Sequence, residues 1–186
     1  VQIANYRDRQ GNVVAQKVRG ADKSFKFLGD AKSAGLFGQH LWREGGRMLV
    51  IVEGEIDALS MSQVQGNKFP VVSVNSGSAG AKRCIERELM FVESFDKVVL
   101  MFDNDEAGRQ GAMEVAQLLT PAKAHIATLE LKDPNEMLVA GKAQELISAM
   151  WEAKVYRPDG IVAGQDLWDL VSEVDNTPSI LYPFEG

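Results

Sequence analysis

Acidic residues follow two apolar runs in this chain, at the points where the runs end. Glu53 comes directly after the run at residues 48–52. Asp103 comes directly after the run at residues 98–102, and Asp105 lies two residues further on. Apolar runs of this length, each followed by helix-forming sequence, are typical of buried parallel strands. Ligands of open parallel sheets gather beyond the carboxyl ends of the strands, so we predict that these carboxylates meet there.

Carboxylates that meet in this way repel each other unless a cation lies between them. Mg²⁺ (or Mn²⁺) is the simplest choice, because it prefers oxygen ligands and also binds phosphates. Asp103 and Asp105 are spaced to face the same side of an extended strand end. Asp105 could instead cap the following helix, and Glu55 and Asp57 are explained best as acids of a first helical turn.

Two further segments could contribute to the same site. Asp133 follows a later predicted strand, and we predict that it both joins the carboxylates and caps the helix that begins at Pro134, although the cap alone would also explain it. Ser76 and Lys82 lie in a segment of small residues, where backbone N–H groups can face a phosphate. A plain loop and helix start is the alternative for that segment, which does not match the phosphate-loop motif of nucleotide-binding proteins.

Positive charge is concentrated in the first 50 residues. They hold nine Lys/Arg and four Asp/Glu, whereas residues 51–186 hold eleven Lys/Arg and twenty-two Asp/Glu. A basic flank beside an acidic core suits a phosphate-rich partner, although a solvated strand face is the alternative. The predicted contacts for a triphosphate or a nucleic-acid backbone are Lys17, Arg19, Lys23, Lys26, Ser76, Lys82 and Arg109.

The periodicity of the chain predicts an α/β fold with a central parallel sheet flanked by helices. A small β-rich region precedes it, with strands at 1–7, 13–19 and 25–27 and a short helical or irregular piece at 36–42. Strands are then predicted at 48–53, 70–74, 97–103 and 123–129, and helices at 55–64, 79–93, 108–119, 134–140 and 144–153.

We predict three parts: a basic β-rich subdomain at 1–47, a metal-binding domain at 48–154 and a linker at 155–186. The linker contains an amphipathic helix at 165–174 that docks on a neighbouring subunit or packs back on its own domain. The chain resembles a fragment cut from a longer protein.

Composition excludes several classes of protein. With 186 residues, 45% hydrophobic and 25% charged, the chain has the composition of an ordinary globular protein. No apolar run approaches the roughly 20 residues that cross a bilayer. No signal peptide pattern is present, which favours a cytoplasmic location. Cys84 is the only cysteine, so the chain can form neither a disulfide framework nor a cysteine zinc site.

Two motifs resemble the signature of Toprim domains, which occur in primases, topoisomerases, some nucleases and some repair proteins. They are Glu53-Gly54 after one strand and Asp103-Asn104-Asp105 after another. A closer resemblance, to the primase half of the primase–helicases of short-tailed bacteriophages, extends over nearly the whole chain. It rests on residues 6–8, 11–12, 16–19, 36–38, 40–42, 53–57, 101–103, 105–109 and 158–160.

This resemblance implies a DNA primase, an enzyme that joins ribonucleoside triphosphates into short RNA primers on a single-stranded DNA template. It implies Mg²⁺ held by Glu53, Asp103, Asp105 and Asp133. The first three would be catalytic together with Lys17, and Lys17 and Lys23 would handle the nucleotide. One departure is the segment 75–77, which stands where relatives in that group have a histidine-containing loop.

The resemblance also implies partners outside this chain. They are a zinc-binding domain and a helicase domain of the same polypeptide, and a neighbouring subunit that the helix at 165–174 contacts. Two alternatives stay open. One is a Toprim nuclease that cuts nucleic acid, and the other is a non-catalytic recruitment or oligomerisation module of a replicative helicase.

Overall fold

Two β-sheets form the framework of the computed structural model, which describes residues 1–21, 24–158 and 168. Val1–Tyr156 form one compact unit. Its first sheet has three strands, β1 (Gln2–Arg7), β2 (Val13–Arg19) and β3 (Phe25–Gly29), joined as antiparallel neighbours in that order. The predicted hairpin is therefore confirmed, and its third strand extends two residues beyond the predicted end.

The three-stranded sheet has its own small core around Tyr6, which is completely buried. The Tyr6 ring lies 5.5 Å from the ring centroid of Phe27 and 5.8 Å from that of Phe37. Phe37 also exchanges two backbone hydrogen bonds with Ser73, at 2.9 and 3.1 Å. These contacts join the N-terminal sheet to the edge of the second sheet.

The second sheet has five strands in the order β5–β4–β6–β7–β8. Neighbours among the first four are parallel, as predicted, whereas β8 runs antiparallel to β7. The prediction missed β8, because a strand of two residues leaves no periodic pattern. The bounds are β4 (Gly46–Val52), β5 (Val71–Ser73), β6 (Phe95–Met101), β7 (Ala124–Ile126) and β8 (Lys154–Val155).

Helices cover both faces of this sheet. One face is covered by α1 (Glu55–Val64), α5 (Pro134–Val139) and α6 (Ala143–Trp151), and the other by α2 (Ser78–Arg87), α3 (Leu89–Glu93) and α4 (Glu106–Ala116). Successive side chains of a strand point to opposite faces, and both faces are covered, so the buried parts of the two central strands are continuously apolar, at 48–52 in β4 and 98–101 in β6. Leu49 and Ile51 of β4, for example, face α2–α4, whereas Val50 faces α1, α5 and α6.

The helix predicted over residues 79–93 is wrong as a single element. The structure divides it into α2 and α3 at Glu88, whose backbone has φ −106° and ψ 17°. The Glu88 side chain accepts a hydrogen bond from Gln39 at 2.8 Å and pairs with Arg9 at 3.3 Å. Both partners are distant in the sequence, so local periodicity could not reveal the break.

The predicted helical piece at 36–42 is only a short 3-10 helix, Gln39–Leu41. The predicted linker helix at 165–174 lies outside the described residues except for Trp168. In the part of the chain that the structure describes, no helix has the length and apolar character needed to span a bilayer.

Candidate active site at the carboxyl ends of the parallel strands

Glu53 connects three segments of the site. It follows β4, and its carboxylate accepts the backbone N–H of Asp103 at Oε1 and the backbone N–H of Ser78 at Oε2, both at 3.0 Å. The loop after β6 and the start of α2 are thereby held against the end of β4. Burial raises the pKa of Glu53 and the nearby Asp103 charge adds to this, while the two N–H donors oppose the shift.

Asp103 lies beside Glu53, because β4 and β6 are adjacent and Val52 pairs with Met101 in the register. The Asp103 carboxylate forms an ion pair with Lys132, with 3.2 Å between Oδ2 and Nζ. Burial raises the pKa of Asp103, and the Lys132 charge opposes that shift. Sequence analysis missed Lys132.

Asp105 and Asp133 both cap helices, as the alternative interpretation of each predicted. Asp105 Oδ1 accepts the N–H of Gly108 at 2.8 Å, and Asp133 Oδ1 accepts the N–H of Glu136 at 2.7 Å. Capping occupies one oxygen of each carboxylate. The charges of both residues still raise the pKa of Asp103, so both lie within electrostatic reach of it.

Asp57 is a fifth acid of this cluster, which the explanation as a first-turn helix acid did not place in the site. It accepts the backbone N–H of Asn135 at 3.2 Å. Burial raises its pKa to about 7, and the charges of Asp133, Asp103 and Glu53 add to the shift. In the sequence, the one indication of this role is that Asp57 comes four residues after Glu53, a spacing of about one helical turn.

Gly108 allows α4 to begin directly against the acids. A Cβ atom at this position would lie 2.1 Å from the carbonyl oxygen of Asp103 and 2.9 Å from Glu53 Oε1. Any larger residue would push the helix away from the carboxylates. The glycine after Asp105-Glu106-Ala107 therefore has a steric explanation.

The acids of this cluster suit a hard divalent cation, because such ions prefer carboxylate oxygens as ligands. Asp103, Asp105 and Asp133 each use one oxygen for Lys132 or for a helix cap. Within residues 1–21, 24–158 and 168, however, no three His, Cys, Asp or Glu side chains form a ready-made metal-binding group. The carboxylates are turned towards backbone N–H groups and Lys132 instead.

Lys17, predicted as a phosphate contact, is paired with an acid. Its Nζ lies 2.9 Å from Glu55 Oε1 and 4.7 Å from the ring centroid of Phe25. The same carboxylate accepts the hydroxyl hydrogen bond of Tyr6. Only 12% of the Lys17 side chain and 19% of the Glu55 side chain are exposed. This network connects β1 and β2 to the first turn of α1, two residues from Glu53.

A cavity of about 540 Å³ lies beside this network, and we call it the α1 cavity. Lys17 and Arg19 line it, together with aromatic and aliphatic residues of the N-terminal sheet and of α1. Gly54 also lines it and directly follows Glu53, so the cavity adjoins the acids. The remaining lining residues are Gln2, Ile3, Ala4, Asn5, Arg7, Phe25, Phe37, His40, Glu55, Ile56 and Leu59.

The other predicted phosphate contacts lie at different places. Lys26 is exposed on β3. Arg109 pairs with Glu106 at 3.1 Å and lines a small cavity with Asp103. Ser76 and Lys82 line a groove along α2. Lys23 lies outside the described residues.

Replacing Glu55 by Gln is expected to lower the free energy of unfolding by about 1–3 kcal/mol, because Lys17 would lose its anion in a largely buried position. Urea denaturation measures this loss. The matched control is Glu130→Gln, which breaks the exposed Lys142–Glu130 pair and should cost at most about 1 kcal/mol. Equal losses in the two variants would show that the Lys17–Glu55 pair does not stabilise the contact between the N-terminal sheet and α1.

Two protein-family models match different parts of the chain. A family model described as Toprim-like matches residues 50–138. A second, described as the N-terminal α+β fold of the bacteriophage T7 DNA helicase/primase, matches residues 1–29. The Toprim-like match spans the strands and loops that carry all five acids.

A structure of the bacteriophage T7 lagging-strand DNA polymerase, interacting with the primase domains of two gp4 subunits, contains a similar chain. That chain is 44% identical, with a TM-score of 0.78, and the match covers 83% of this chain and 79% of that one. The chain belongs to the Toprim primase family. Domains of this family depend on metal in general.

Three further primases are similar to this chain to different degrees. The primase fragment of the bacteriophage T7 primase-helicase is 45% identical, with a TM-score of 0.76 over 81% of this chain and 62% of that one. The DNA helicase/primase of Enterobacteria phage T3 is 42% identical over 92% of this chain, which spans only 30% of that protein. The DnaG catalytic core, at 19% identity and a TM-score of 0.65, shares the fold.

Proposed function

We propose that this chain is the catalytic part of a DNA primase, which synthesises short RNA primers on single-stranded DNA from ribonucleoside triphosphates. The observation that carries this proposal is the convergence of five acids at one edge of the sheet, in a chain of the Toprim primase family. Those acids are Glu53, Asp57, Asp103, Asp105 and Asp133.

The proposed cofactor is Mg²⁺ or Mn²⁺, held by Asp103, Asp105 and Asp133 together with Glu53. When bound, such an ion activates the attacking 3′-oxygen and stabilises the leaving pyrophosphate. Glu53 keeps the loops after β4 and β6 together through its bond to the Asp103 N–H. The Lys132 charge favours the ionised form of Asp103, which is the form that binds a cation.

The α1 cavity is the proposed site of the incoming nucleotide. Its walls are largely apolar and include Phe25 and Phe37, which suits a base, and Arg19 offers a positive charge for phosphates. Lys17 lines the same cavity. Its Nζ is already paired with Glu55, so a phosphate bound by Lys17 and Arg19 would share the Lys17 charge with that carboxylate. Lys26, which is exposed on β3, would extend this basic surface towards the template, and Lys23 stays a predicted nucleotide contact.

The relatives support proposals about partners as well. The T3 protein is named a DNA helicase/primase, and this chain matches only part of it. We infer that the chain works within a longer polypeptide that contains a zinc-binding domain and a helicase domain. The segment 165–174, predicted from the sequence to be helical, is the proposed contact with a neighbouring subunit.

Incubating the chain with single-stranded DNA, labelled ribonucleoside triphosphates and Mn²⁺ tests the proposal. We expect short RNA products. They should disappear when EDTA is added to the reaction, or when deoxynucleoside triphosphates replace the ribonucleoside triphosphates. Gel electrophoresis resolves these products. A parallel reaction with labelled DNA and no nucleotides tests the nuclease alternative. Degraded DNA without RNA products would contradict the proposal.

A further inference from the structure

An open basic groove, which we call the α2 groove, runs along α2. It has a volume of about 730 Å³ and lies between α2 and the loop after β3. Four exposed cations line it, against two acids, Glu86 and Glu114. The cations are Lys32, Lys82, Arg83 and Arg87. A positive groove is unexpected in a chain of net charge −6.

The α2 groove reaches the acid cluster. Asn75 and Ser76 line the groove, and they come just before Gly77, the N-cap of α2. In the first turn of α2 the N–H of Ser78 donates to Glu53 at 3.0 Å. A strand of nucleic acid that passes the acids can therefore continue along α2, which has 10 residues and is about 15 Å long.

The α2 groove is distinct from the α1 cavity, because the two have no lining residue in common. Several aromatic and aliphatic residues line the α1 cavity, whereas Phe27 is the only aromatic residue that lines the α2 groove in the part of the chain that the structure describes. Basic side chains without stacking platforms bind the sugar–phosphate backbone and do not read bases. The Arg87 guanidinium also donates to the Lys32 carbonyl at 3.1 Å, which joins the two walls of the groove.

We propose that the α2 groove binds the phosphodiester backbone of a single strand of nucleic acid that passes the acid cluster. This inference rests on the proposed primase function and deepens it by assigning a second nucleic-acid surface. The strand occupies the α2 face while the nucleotide occupies the α1 cavity. The groove contributes affinity and position without sequence preference.

Fluorescence anisotropy with a labelled thymidine oligonucleotide, in EDTA and without nucleotides, tests this proposal. The double variant Lys82→Glu/Arg83→Glu should weaken binding about tenfold or more, because it places repulsive charges in the groove. The matched control is Arg47→Glu/Lys68→Glu. It reverses one Arg and one Lys that are exposed at the other end of the strands, and it should change affinity less than about twofold.

The salt dependence gives a second measurement. Lys82→Ala/Arg83→Ala should reduce the slope of log affinity against log salt by about 1.4, since each phosphate contact on a single strand contributes about 0.7. A labelled uridine oligoribonucleotide identifies the source of the strand. If the groove variant loses equal affinity for DNA and RNA, the groove binds the backbone of either strand. If only DNA binding is lost, the strand is the template, and if only RNA binding is lost, it is the product.

The proposal is overturned if the groove variant and the control variant weaken binding equally, or if neither weakens it. Circular dichroism melting confirms that both double variants are folded before either result is used. A wild-type chain that makes no RNA but loses binding through Lys82→Glu/Arg83→Glu would contradict the primase function alone. The two failures are therefore distinguishable.

Discussion

Glu53→Gln is expected to reduce primer synthesis by about three orders of magnitude and to lower the free energy of unfolding by about 1–3 kcal/mol. The carboxylate accepts two backbone N–H groups, from Asp103 and Ser78. A glutamine side chain has one acceptor oxygen, and its NH₂ group would face the second N–H donor. One buried donor is then unsatisfied, and the loops that carry the acids separate. Steady-state synthesis and urea denaturation measure the two losses.

Asp103→Asn separates chemistry from stability and is the matched control. It should reduce synthesis by a similar factor, because it removes a charge from the proposed metal ligands. Its stability should change by at most about 1 kcal/mol, since the ion pair it breaks involves a Lys132 side chain that is 53% exposed. If Glu53→Gln retained wild-type stability, the role of Glu53 in joining the strand ends would be wrong.

The sequence alone was enough to predict the strands β4 and β6 and the acids at their ends. Both strands are buried on two faces, so their apolar runs are continuous and easy to recognise. The cap roles of Asp105 and Asp133 were also predictable, because capping depends on residues three positions away. Parallel neighbours then bring residues that follow equivalent strand positions together.

The rest of the site depends on contacts between distant segments. Lys132 comes from the segment before α5 and meets Asp103 only in the folded chain. Lys17 meets Glu55 because the N-terminal sheet packs beside α1, an arrangement that no local pattern encodes. Asp57 had a sufficient local explanation as a first-turn acid, and this concealed its electrostatic contact with Asp133.

Asp57 also gives the chain a distinctive dependence of stability on pH. Its pKa rises from an ordinary 3.8 to about 7 on folding, so the folded state binds the proton more tightly than the unfolded state does. Between about pH 4 and pH 7 the free energy of unfolding therefore falls as the pH rises. Asp57→Asn removes this loss, and its stability relative to wild type should increase by about 2–4 kcal/mol between pH 5 and pH 8.

Urea denaturation at several pH values measures this difference, with Asp30→Asn as the control of opposite sign. Hydrogen bonds from Ser33 and from the backbone lower the pKa of Asp30, so its contribution to stability is lost as the pH falls.

Mn²⁺ should also raise the melting temperature of the wild type more at pH 8 than at pH 6, because a cation binds ionised carboxylates. A pH-independent difference between Asp57→Asn and wild type would mean that Asp57 does not share the electrostatic field of the acid cluster.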